Sequence, residues 1–221
     1  MSDPRPPGSV LAKELLSFGA AALGESGGSV MGPTIRPVWI GEGLAGRACP
    51  VQCGAGDNLA IHAALTRAQP GYVLVVETGH PKERGYWGEI LTTAAKAAGV
   101  VGLVIDGGVR DTASFERQGF PVFASAIALK GTTKSLPGSV GHSIIIAGVE
   151  VAAGDWVIGD ADGVAVVHSA QIETVRGAAE ARVRKEARFL DELRAGATTL
   201  QLMGVDAAQI ATSWPDDQHD A

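Results

Sequence analysis

Hydrophobic residues recur with two different spacings in the middle of the chain, between residues 58 and 127. Apolar positions at helical spacing predict helices, and short apolar runs bounded by glycine or proline predict buried strands. This alternation is typical of a sheet with helices on at least one face and with parallel strand pairing. The predicted helices cover 58–68, 88–98 and 112–118, and the predicted strands cover 72–77, 100–106 and 122–127.

The two ends of the chain have other patterns. Glycine-punctuated apolar runs after residue 130 indicate β layers, and the DADG segment at 160–163 is typical of a hairpin turn. Before residue 58 the pattern indicates one helix and two strands. These predictions place a helix at 9–23 and strands at 35–40, 47–53, 144–151, 156–159 and 163–168.

A long, charged helix is predicted over 169–194. Its apolar stripe is too narrow to sit in a core, so we expect the helix to pack against a neighbouring subunit. The end of the chain, at about 213–221, is expected to be a loose tail. The stripe consists of Ile172, Val175, Ala179, Val183, Ala187 and Leu190.

Composition narrows the classes of function. A chain of 221 residues that is 46% hydrophobic is long enough for one large domain or two small ones with a real core. Its 18 basic and 24 acidic residues give a net charge of −6, which argues against a nucleic-acid surface or a polybasic membrane anchor. Without a membrane-length apolar run or a targeting segment, we expect a cytoplasmic protein whose partners are small molecules or proteins.

Sulfur and imidazole ligands are not arranged for metal binding. Cys49 and Cys53 have C-x3-C spacing with no second pair, which matches neither a zinc cage nor a disulfide framework. The five histidines show no i, i+4 pairing. Any bound metal is therefore expected to have oxygen ligands.

The segment 85–111 carries the most informative chemistry. It predicts a helix, a buried strand and a glycine turn that ends in Arg110 and Asp111. Because loops at one edge of a β/α sheet meet where ligands bind, we expect Glu89 to approach Asp106, Arg110 and Asp111.

The start of the helix in this segment suits an anionic substrate. Gly88 precedes the helix, so the backbone amides near Ile90 and Leu91 are free to bind a substrate carboxylate, and Arg110 can add a bidentate clamp. The carboxylates of Glu89 and Asp111 would repel each other without a shared cation. An all-oxygen site of this kind suits Mg²⁺ or Mn²⁺ that retains several waters.

The same residues also fit a structural interpretation. Glu89 could complement a helix dipole, Asp111 could be the N-cap of the helix at 112, and Arg110 could pair with either carboxylate. We favour a ligand site because the three occur together beside a DGG turn.

Other motifs point elsewhere. CGAGDNL at 53–59 resembles a dinucleotide fingerprint, but Leu59 replaces the third glycine and Pro50 lies in the preceding strand, so a glycine turn with Asp57 or Asn58 as a helix cap is favoured. GTTKS at 131–135 is an incomplete phosphate loop. The basic residues of 78–87 could hold a distal substrate carboxylate, although a solvated loop is the simpler interpretation; they are His80, Lys82 and Arg84.

Taken together, five segments resemble the class II pyruvate aldolases that cleave 4-hydroxy-4-methyl-2-oxoglutarate and 4-carboxy-4-hydroxy-2-oxoadipate, a group that includes the regulator of ribonuclease activity A. The resemblance implies one swivelling β/β/α domain over 1–221, with a core at about 25–195, and a homotrimer or hexamer. The segments are GDNLAIHAAL, GYVLVVETG, GEILTTAAKAAGVVGLVIDGGVRD, GFPVFA and GVEVAAGDWVIGDADGVAVV.

The resemblance also implies roles for individual residues. The aldolases carry an acidic residue, twenty further residues and then Arg-Asp, a spacing that Glu89, Arg110 and Asp111 keep, with Glu where Asp is common. It implies that Asp111 binds Mg²⁺ or Mn²⁺ directly, that Glu89 acts through water, and that Arg110 meets the pyruvate oxygens. It further implies a water-mediated glutamate from the neighbouring subunit, for which Glu186 is the best match.

The implied activity is a metal-dependent retro-aldol cleavage that releases pyruvate from a 4-hydroxy-2-oxo di- or tricarboxylic acid, as in aromatic degradation. Oxaloacetate decarboxylase activity is expected as a side reaction because it passes through the same enolate. The alternative is a non-catalytic protein that binds and restrains a ribonuclease. Asp111 favours the lyase, because the regulator lacks an acidic residue after the arginine.

Overall fold

The computed structural model describes residues 10–41 and 43–210. A short 3₁₀ turn, Ser169–Gln171, precedes the longest helix. The helices are α1 (Val10–Phe18), α2 (Ala20–Glu25), α3 (Leu59–Leu65), α4 (Glu89–Ala97), α5 (Thr112–Gln118), α6 (Ile172–Arg194) and α7 (Thr199–Met203). The strands are β1 (Ser29–Val30), β2 (Arg36–Pro37), β3 (Leu44–Gln52), β4 (Tyr72–Glu77), β5 (Gly85–Trp87), β6 (Gly102–Val109), β7 (Val122–Ile127), β8 (Ser139–Val140), β9 (Ile144–Ile146), β10 (Val149–Val151), β11 (Trp156–Gly159) and β12 (Val164–Val167).

One mixed sheet organises the fold, in the order β1-β12-β11-β3-β4-β6-β7-β2. Its centre, β3-β4-β6-β7, is parallel, as the alternation of helices and strands predicted, and antiparallel strands flank it on both sides. Two short strands lie off this path: β5 pairs with β6 and β8 pairs with β3. The strands β9 and β10 form a separate antiparallel hairpin.

The central strands are buried on both faces. In β4, Leu74 and Val76 face a cluster that contains Ile61 of α3, Leu91 of α4 and Phe115 of α5. The alternate residues of β4, Val73 and Val75, belong to a second cluster with the hydrophobic residues of the β9-β10 hairpin. Each such fully buried aliphatic side chain contributes about 1.5–3 kcal/mol relative to exposure. The sheet is thus layered between helices and a β hairpin, and the predicted mixed α/β fold of β/β/α type is confirmed.

A third cluster joins the amino-terminal helices to the beginning of α6. It contains Leu15 of α1, Leu23 of α2, Trp156 of β11, and Val175 and Ala179 of α6. Val175 and Ala179 are 3% and 0% exposed. The expectation that the stripe on this helix is too narrow for a core is therefore wrong for its first half, because α1 and α2 supply the facing apolar side chains.

The chain divides into two compact units, with the boundary between Glu180 and Ala181, inside α6. The second unit includes the rest of α6 and α7, which starts with a capping box made by Thr198 and Gln201. Packing of this helix on a neighbouring subunit stays a prediction, as does a single domain over 1–221. The predicted tail at about 213–221 lies outside the described residues. Across residues 10–41 and 43–210, no helix is both long and apolar enough to cross a membrane.

Several predicted bounds need correction. The helix predicted over 9–23 is interrupted at Gly19, which adopts a φ of 84° and separates α1 from α2. Of the strand predicted over 35–40, only Arg36–Pro37 pairs, at the edge beside β7. The strand β5 was not predicted, because its three residues follow a charged segment and are too few to show a period.

Candidate active-site cleft

Glu89, Arg110 and Asp111 are brought together by the pairing of two parallel strands. Trp87 at the end of β5 aligns with Val109 at the end of β6, and the Arg110 amide donates a 2.9 Å hydrogen bond to the Trp87 carbonyl. Both strands therefore end at one edge of the sheet, where α4 and α5 begin. This register explains why residues 21 or 22 positions apart in sequence become neighbours.

Polar contacts connect these residues one after another, in a chain of contacts along the strand edge. The Glu89 amide donates to Asp111 Oδ2 at 3.2 Å, and Arg110 Nε lies 4.0 Å from the same oxygen. Arg117 of α5 adds a fourth member, since its Nη2 lies 3.2 Å from Glu89 Oε1. These four side chains are 45–63% exposed, so all of them are accessible to a ligand.

Asp111 occupies an unusual backbone position. Its φ of 58° and ψ of 37° lie in the left-handed region, which Asp and Asn tolerate better than most other side chains. Asp111 is the N-cap residue of α5, as the structural interpretation predicted, but its side chain makes no capping hydrogen bond. Oδ2 instead accepts from α4, and Oδ1 has no hydrogen bond or ion pair among the described residues. The side chain is therefore held at the cleft and not used to stabilise its own helix.

Gly88 makes this close approach possible. A Cβ at position 88 would lie 2.5 Å from Asp111 Oδ2 and 3.3 Å from Arg110 Cγ. Its φ of −165° is extended backbone, so the requirement for glycine is one of space. The two residues that follow Glu89, Ile90 and Leu91, lie in the first turn of α4, where amides have no carbonyl partner within the helix.

A cleft of about 330 Å³ opens beside this chain of contacts. Two exposed apolar side chains, Ile127 and Leu129, form part of its lining, 65% and 82% exposed. Gly88, Ile90 and Leu91 do not line the cleft; the Leu91 side chain is buried in the core beneath it. The full lining is Glu89, Arg110, Asp111, Thr112, Ala113, Ser114, Arg117, Ile127 and Leu129.

The oxygen ligands that the cleft offers suit a hydrated cation better than a metal ion fully enclosed by side chains. The described part of the chain has no group of three or more His, Cys, Asp or Glu side chains that could hold a metal ion. The cleft does provide two half-exposed carboxylates, Glu89 and Asp111. Mg²⁺ is commonly held by only one or two carboxylates and keeps several waters, and Mn²⁺ favours the same oxygen ligands. These two carboxylates are thus compatible with a hydrated Mg²⁺ or Mn²⁺.

Some residues expected near the site are engaged elsewhere. Asp106 does not line the cleft; it is 7% exposed and pairs with Lys82 Nζ at 2.6 Å. Arg84 donates to the Gly131 carbonyl at 2.7 Å and packs against Gly56. His80, Lys82 and Arg84 are all absent from the cleft lining. Arg117, which sequence reasoning missed, lines the cleft as a second basic residue beside Arg110.

The glycine-rich segment at 53–59 has a structural function in the fold. Asp57 is 1% exposed, and its carboxylate accepts hydrogen bonds from the Leu59, Ser135 and Leu136 amides and from the Thr133 hydroxyl. Burial alone would raise the pKa of Asp57, but these bonds together hold it well below its ordinary value. The turn was predicted with Asp57 or Asn58 as the helix cap. Asn58 occupies the N-cap position of α3, but its side chain donates to the Tyr86 carbonyl, and it is the Asp57 carboxylate that accepts from the Leu59 amide at the start of the helix.

Glu186 lies in the second compact unit, on α6, where it pairs with Arg182 at 2.9 Å. Its predicted contribution to a neighbouring subunit's site stays a prediction.

The fold and the cleft describe a mixed α/β protein. Its sheet is layered between helices and a hairpin, and an Arg-Asp pair and a further carboxylate lie at one edge of the sheet. A family model described as "RraA-like: Aldolase/RraA" matches residues 20–166, and the chain belongs to this family.

Relatives and solved structures agree with this assignment. The chain is 33% identical over 174 residues to a protein of Halalkalibacterium halodurans named "Putative 4-hydroxy-4-methyl-2-oxoglutarate aldolase", covering 79% of this chain and 80% of that protein. An uncharacterized protein from Pseudomonas syringae shares the fold, with a TM-score of 0.79 at 24% identity over 92% of this chain and 97% of the other. The RNA-processing inhibitor RraA from Thermus thermophilis has a TM-score of 0.62 at 25% identity, over 67% of this chain and 91% of that one.

Proposed function

We propose that this protein is a lyase that cleaves a 4-hydroxy-2-oxo di- or tricarboxylic acid into pyruvate and a second oxo acid, with Mg²⁺ or Mn²⁺ as its cofactor. The observation that carries the proposal is the convergence of Glu89, Arg110 and Asp111 on one cleft beside the amino end of α4. The names of the curated relatives support the same class of reaction.

Each residue has a defined task in the proposed reaction. We assign the substrate carboxylate to the positive end of α4, at the backbone amides of Ile90 and Leu91, which follow Glu89 directly although their residues do not line the cleft. Glu89, acting through a water, accepts the proton of the 4-hydroxyl group, and the electrons of the O–H bond form the new carbonyl as the bond between carbons 3 and 4 breaks. The electrons of that bond leave pyruvate as its enolate.

Stabilisation of the enolate is the task of Arg110 and Asp111. The Arg110 guanidinium donates hydrogen bonds to the oxygen on which negative charge grows, so it binds the transition state more tightly than the ground state. Asp111 would hold the metal directly, and a bound divalent ion supplies further positive charge for the same oxygen. Protonation at carbon 3 then gives pyruvate. Oxaloacetate decarboxylation follows as a side activity because loss of CO₂ leaves the same enolate.

A direct test is a coupled pyruvate-release assay on a panel of 4-hydroxy-2-oxo acids and oxaloacetate, in chelator and then with Mg²⁺ or Mn²⁺ restored. We expect turnover that is lost in chelator and regained with metal. Arg110→Ala should lower turnover strongly while circular dichroism shows an intact fold. No pyruvate from any substrate, or full activity of Arg110→Ala, would overturn the proposal.

We further propose that the protein assembles as a homotrimer or hexamer in which Glu186 approaches the neighbouring cleft through water. The long charged helix that carries Glu186 supports this. Light scattering should give a mass of three or six chains, and Glu186→Gln should lower turnover without changing that mass. A monomer, or a Glu186→Gln variant of unchanged activity, would refute the shared site.

A second candidate is a non-catalytic regulator that binds a ribonuclease, which the structural likeness to the RNA-processing inhibitor RraA favours. Ribonuclease captured by this protein in a purified two-component pull-down, with no pyruvate formed in the assay above, would establish it in place of the lyase.

A further inference from the structure

Arg117 is the one cleft residue whose charge has no task in the proposed cleavage. It lies near the end of α5, on the same helix that Asp111 caps, and its side chain is 63% exposed. Nη2 contacts Glu89 Oε1 at 3.2 Å. No other polar contact of this guanidinium occurs within the described residues, so most of its five N–H donors are available to a ligand.

The charges that line the cleft balance before any ligand binds. Glu89 and Asp111 contribute two negative charges, and Arg110 and Arg117 contribute two positive charges. A divalent cation held by Asp111 would therefore leave two positive charges in excess. A ligand with two negative charges restores neutrality, whereas a monoanionic 2-oxo acid restores only half of it.

The two guanidinium groups lie at opposite ends of the chain of contacts. Arg110 contacts Asp111, and Arg117 contacts Glu89 on the opposite side of the same chain of contacts. A substrate whose 2-oxo carboxylate occupies the end near Arg110 would extend past Glu89 toward Arg117. Ile127 and Leu129 line the same cleft and can contact the hydrocarbon part of such a substrate.

We infer that Arg117 binds the distal carboxylate of the substrate and makes the cleft selective for 2-oxo dicarboxylates over 2-oxo monocarboxylates. This inference rests on the proposed function, because that reaction fixes the end at which the 2-oxo group binds. Arginine suits the task, since its planar donors match a carboxylate in bidentate geometry.

The test uses two ligands that differ only at the distal end: 2-oxoglutarate ends in a carboxylate and 2-oxopentanoate in a methyl group. Neither has a 4-hydroxyl group, so neither can be cleaved by the proposed reaction. Their dissociation constants are measured by titration calorimetry with excess Mg²⁺, for the full chain and for Arg117→Gln and Arg117→Lys. Arg67→Gln is the matched control, because Arg67 is exposed and lies outside the cleft.

We expect the unaltered protein to bind 2-oxoglutarate about tenfold more tightly than 2-oxopentanoate, a difference of about 1.4 kcal/mol. Arg117→Gln should bring the two constants within about twofold, Arg117→Lys should keep part of the preference, and Arg67→Gln should keep all of it. An undiminished preference in Arg117→Gln would overturn the inference, since a residue that only orients Glu89 would not change discrimination at the distal end. Equal binding of both ligands by the unaltered protein would overturn it as well.

Pyruvate release separates this inference from the proposed function. If no 4-hydroxy-2-oxo acid yields pyruvate but the binding preference depends on Arg117, the reaction is wrong and the dicarboxylate site stands. The opposite outcome has two parts: pyruvate is released, and the value of kcat/KM for dicarboxylic substrates divided by that for monocarboxylic substrates is the same in Arg117→Gln as in the unaltered protein. In that case the reaction stands and the inference fails.

Discussion

The carboxylate of Asp111 accepts a 3.2 Å hydrogen bond from the backbone amide of Glu89, the first residue of a different helix. This bond fixes Oδ2 at the amino end of α4, whereas Oδ1 has no hydrogen bond or ion pair among the described residues. The Asp111 side chain, on which the proposed metal site depends, is thus oriented by a backbone amide. Only proline at position 89 would remove that N–H donor.

Asp111→Asn removes the negative charge of the side chain but keeps a residue type that accepts the backbone conformation at position 111. Asn is accepted in the left-handed region, so the fold should be unchanged, whereas loss of the negative charge should lower metal-dependent pyruvate release by about 100-fold or more. Steady-state kinetics with and without added Mg²⁺, together with a thermal melt, measure both effects. Asp162→Asn, in an exposed turn, is the matched control and should leave both unchanged. Full activity of Asp111→Asn would show that the negative charge of Asp111 is not required for the reaction.

Gly88→Ala should damage the site and spare the fold. The added methyl would meet Asp111 Oδ2 at 2.5 Å, which forces the carboxylate away, while the extended backbone at position 88 accepts alanine. We expect kcat/KM to fall by about 10- to 100-fold, the range typical of residues that orient a metal ligand. Gly177→Ala is the control, because a Cβ there meets nothing within 4 Å. Equal activities of the two variants would show that Asp111 does not need its observed position.

Asp57→Asn should destabilise the protein. Oδ1 and Oδ2 both accept hydrogen bonds, so one of them must become an NH₂ group that faces another N–H donor. The expected loss is about 1–3 kcal/mol of unfolding free energy at pH 7, from urea titrations. Asp191→Asn, on the exposed face of α6, serves as the control.

The stabilisation by Asp57 should depend on pH. Its pKa in the folded state is below the ordinary value near 4, so its contribution is complete above about pH 5 and decreases as the pH falls toward the folded-state pKa. The difference in unfolding free energy between the unaltered protein and Asp57→Asn should therefore shrink between pH 7 and pH 3. A difference that is constant over this range would contradict the role of the ionised carboxylate.

Cys53 should be unreactive in the folded protein. Burial, with smaller contributions from the Glu77 and Asp57 charges, raises the pKa of its thiol to about 12, and burial also raises the pKa of Cys49. The reactive thiolate is thus scarce at pH 8. A disulfide-exchange reagent at pH 8 should modify both cysteines rapidly in denaturant and Cys53 only slowly without it. Rapid labelling of Cys53 in native buffer would contradict its burial.

Much of the fold was predictable because several elements carry their own local signals. The bounds predicted for β4, α5, β7 and β11 match the structure, since each is an apolar run or helical pattern that ends at glycine, proline or a charged turn. The approach of Glu89 to Asp111 was expected from the rule that loops at one edge of a β/α sheet meet, but the pairing of β5 with β6 that produces it was not predicted. The bounds of β6 were less accurate, because the strand continues through Gly107 and Gly108, residues that usually indicate a turn.

Features that depend on packing were not predictable. The sequence offers no local signal that Arg117 reaches Glu89, since that contact follows from the way α5 lies beside α4. Lys82 and Asp106 form a pair because the loop after β4 folds back on β6, which no periodic pattern describes. The burial of Val175 and Ala179 likewise required the position of α1 and α2.

The left-handed backbone at position 111 also limits how this cleft could change during evolution. Asparagine and glycine accept that conformation, and each is one nucleotide substitution away from aspartate codons. Either replacement would remove the carboxylate while keeping the turn, the start of α5 and the core beneath it. One substitution could therefore remove the proposed metal ligand from a descendant of this protein. The descendant would keep a folded domain that could bind another macromolecule.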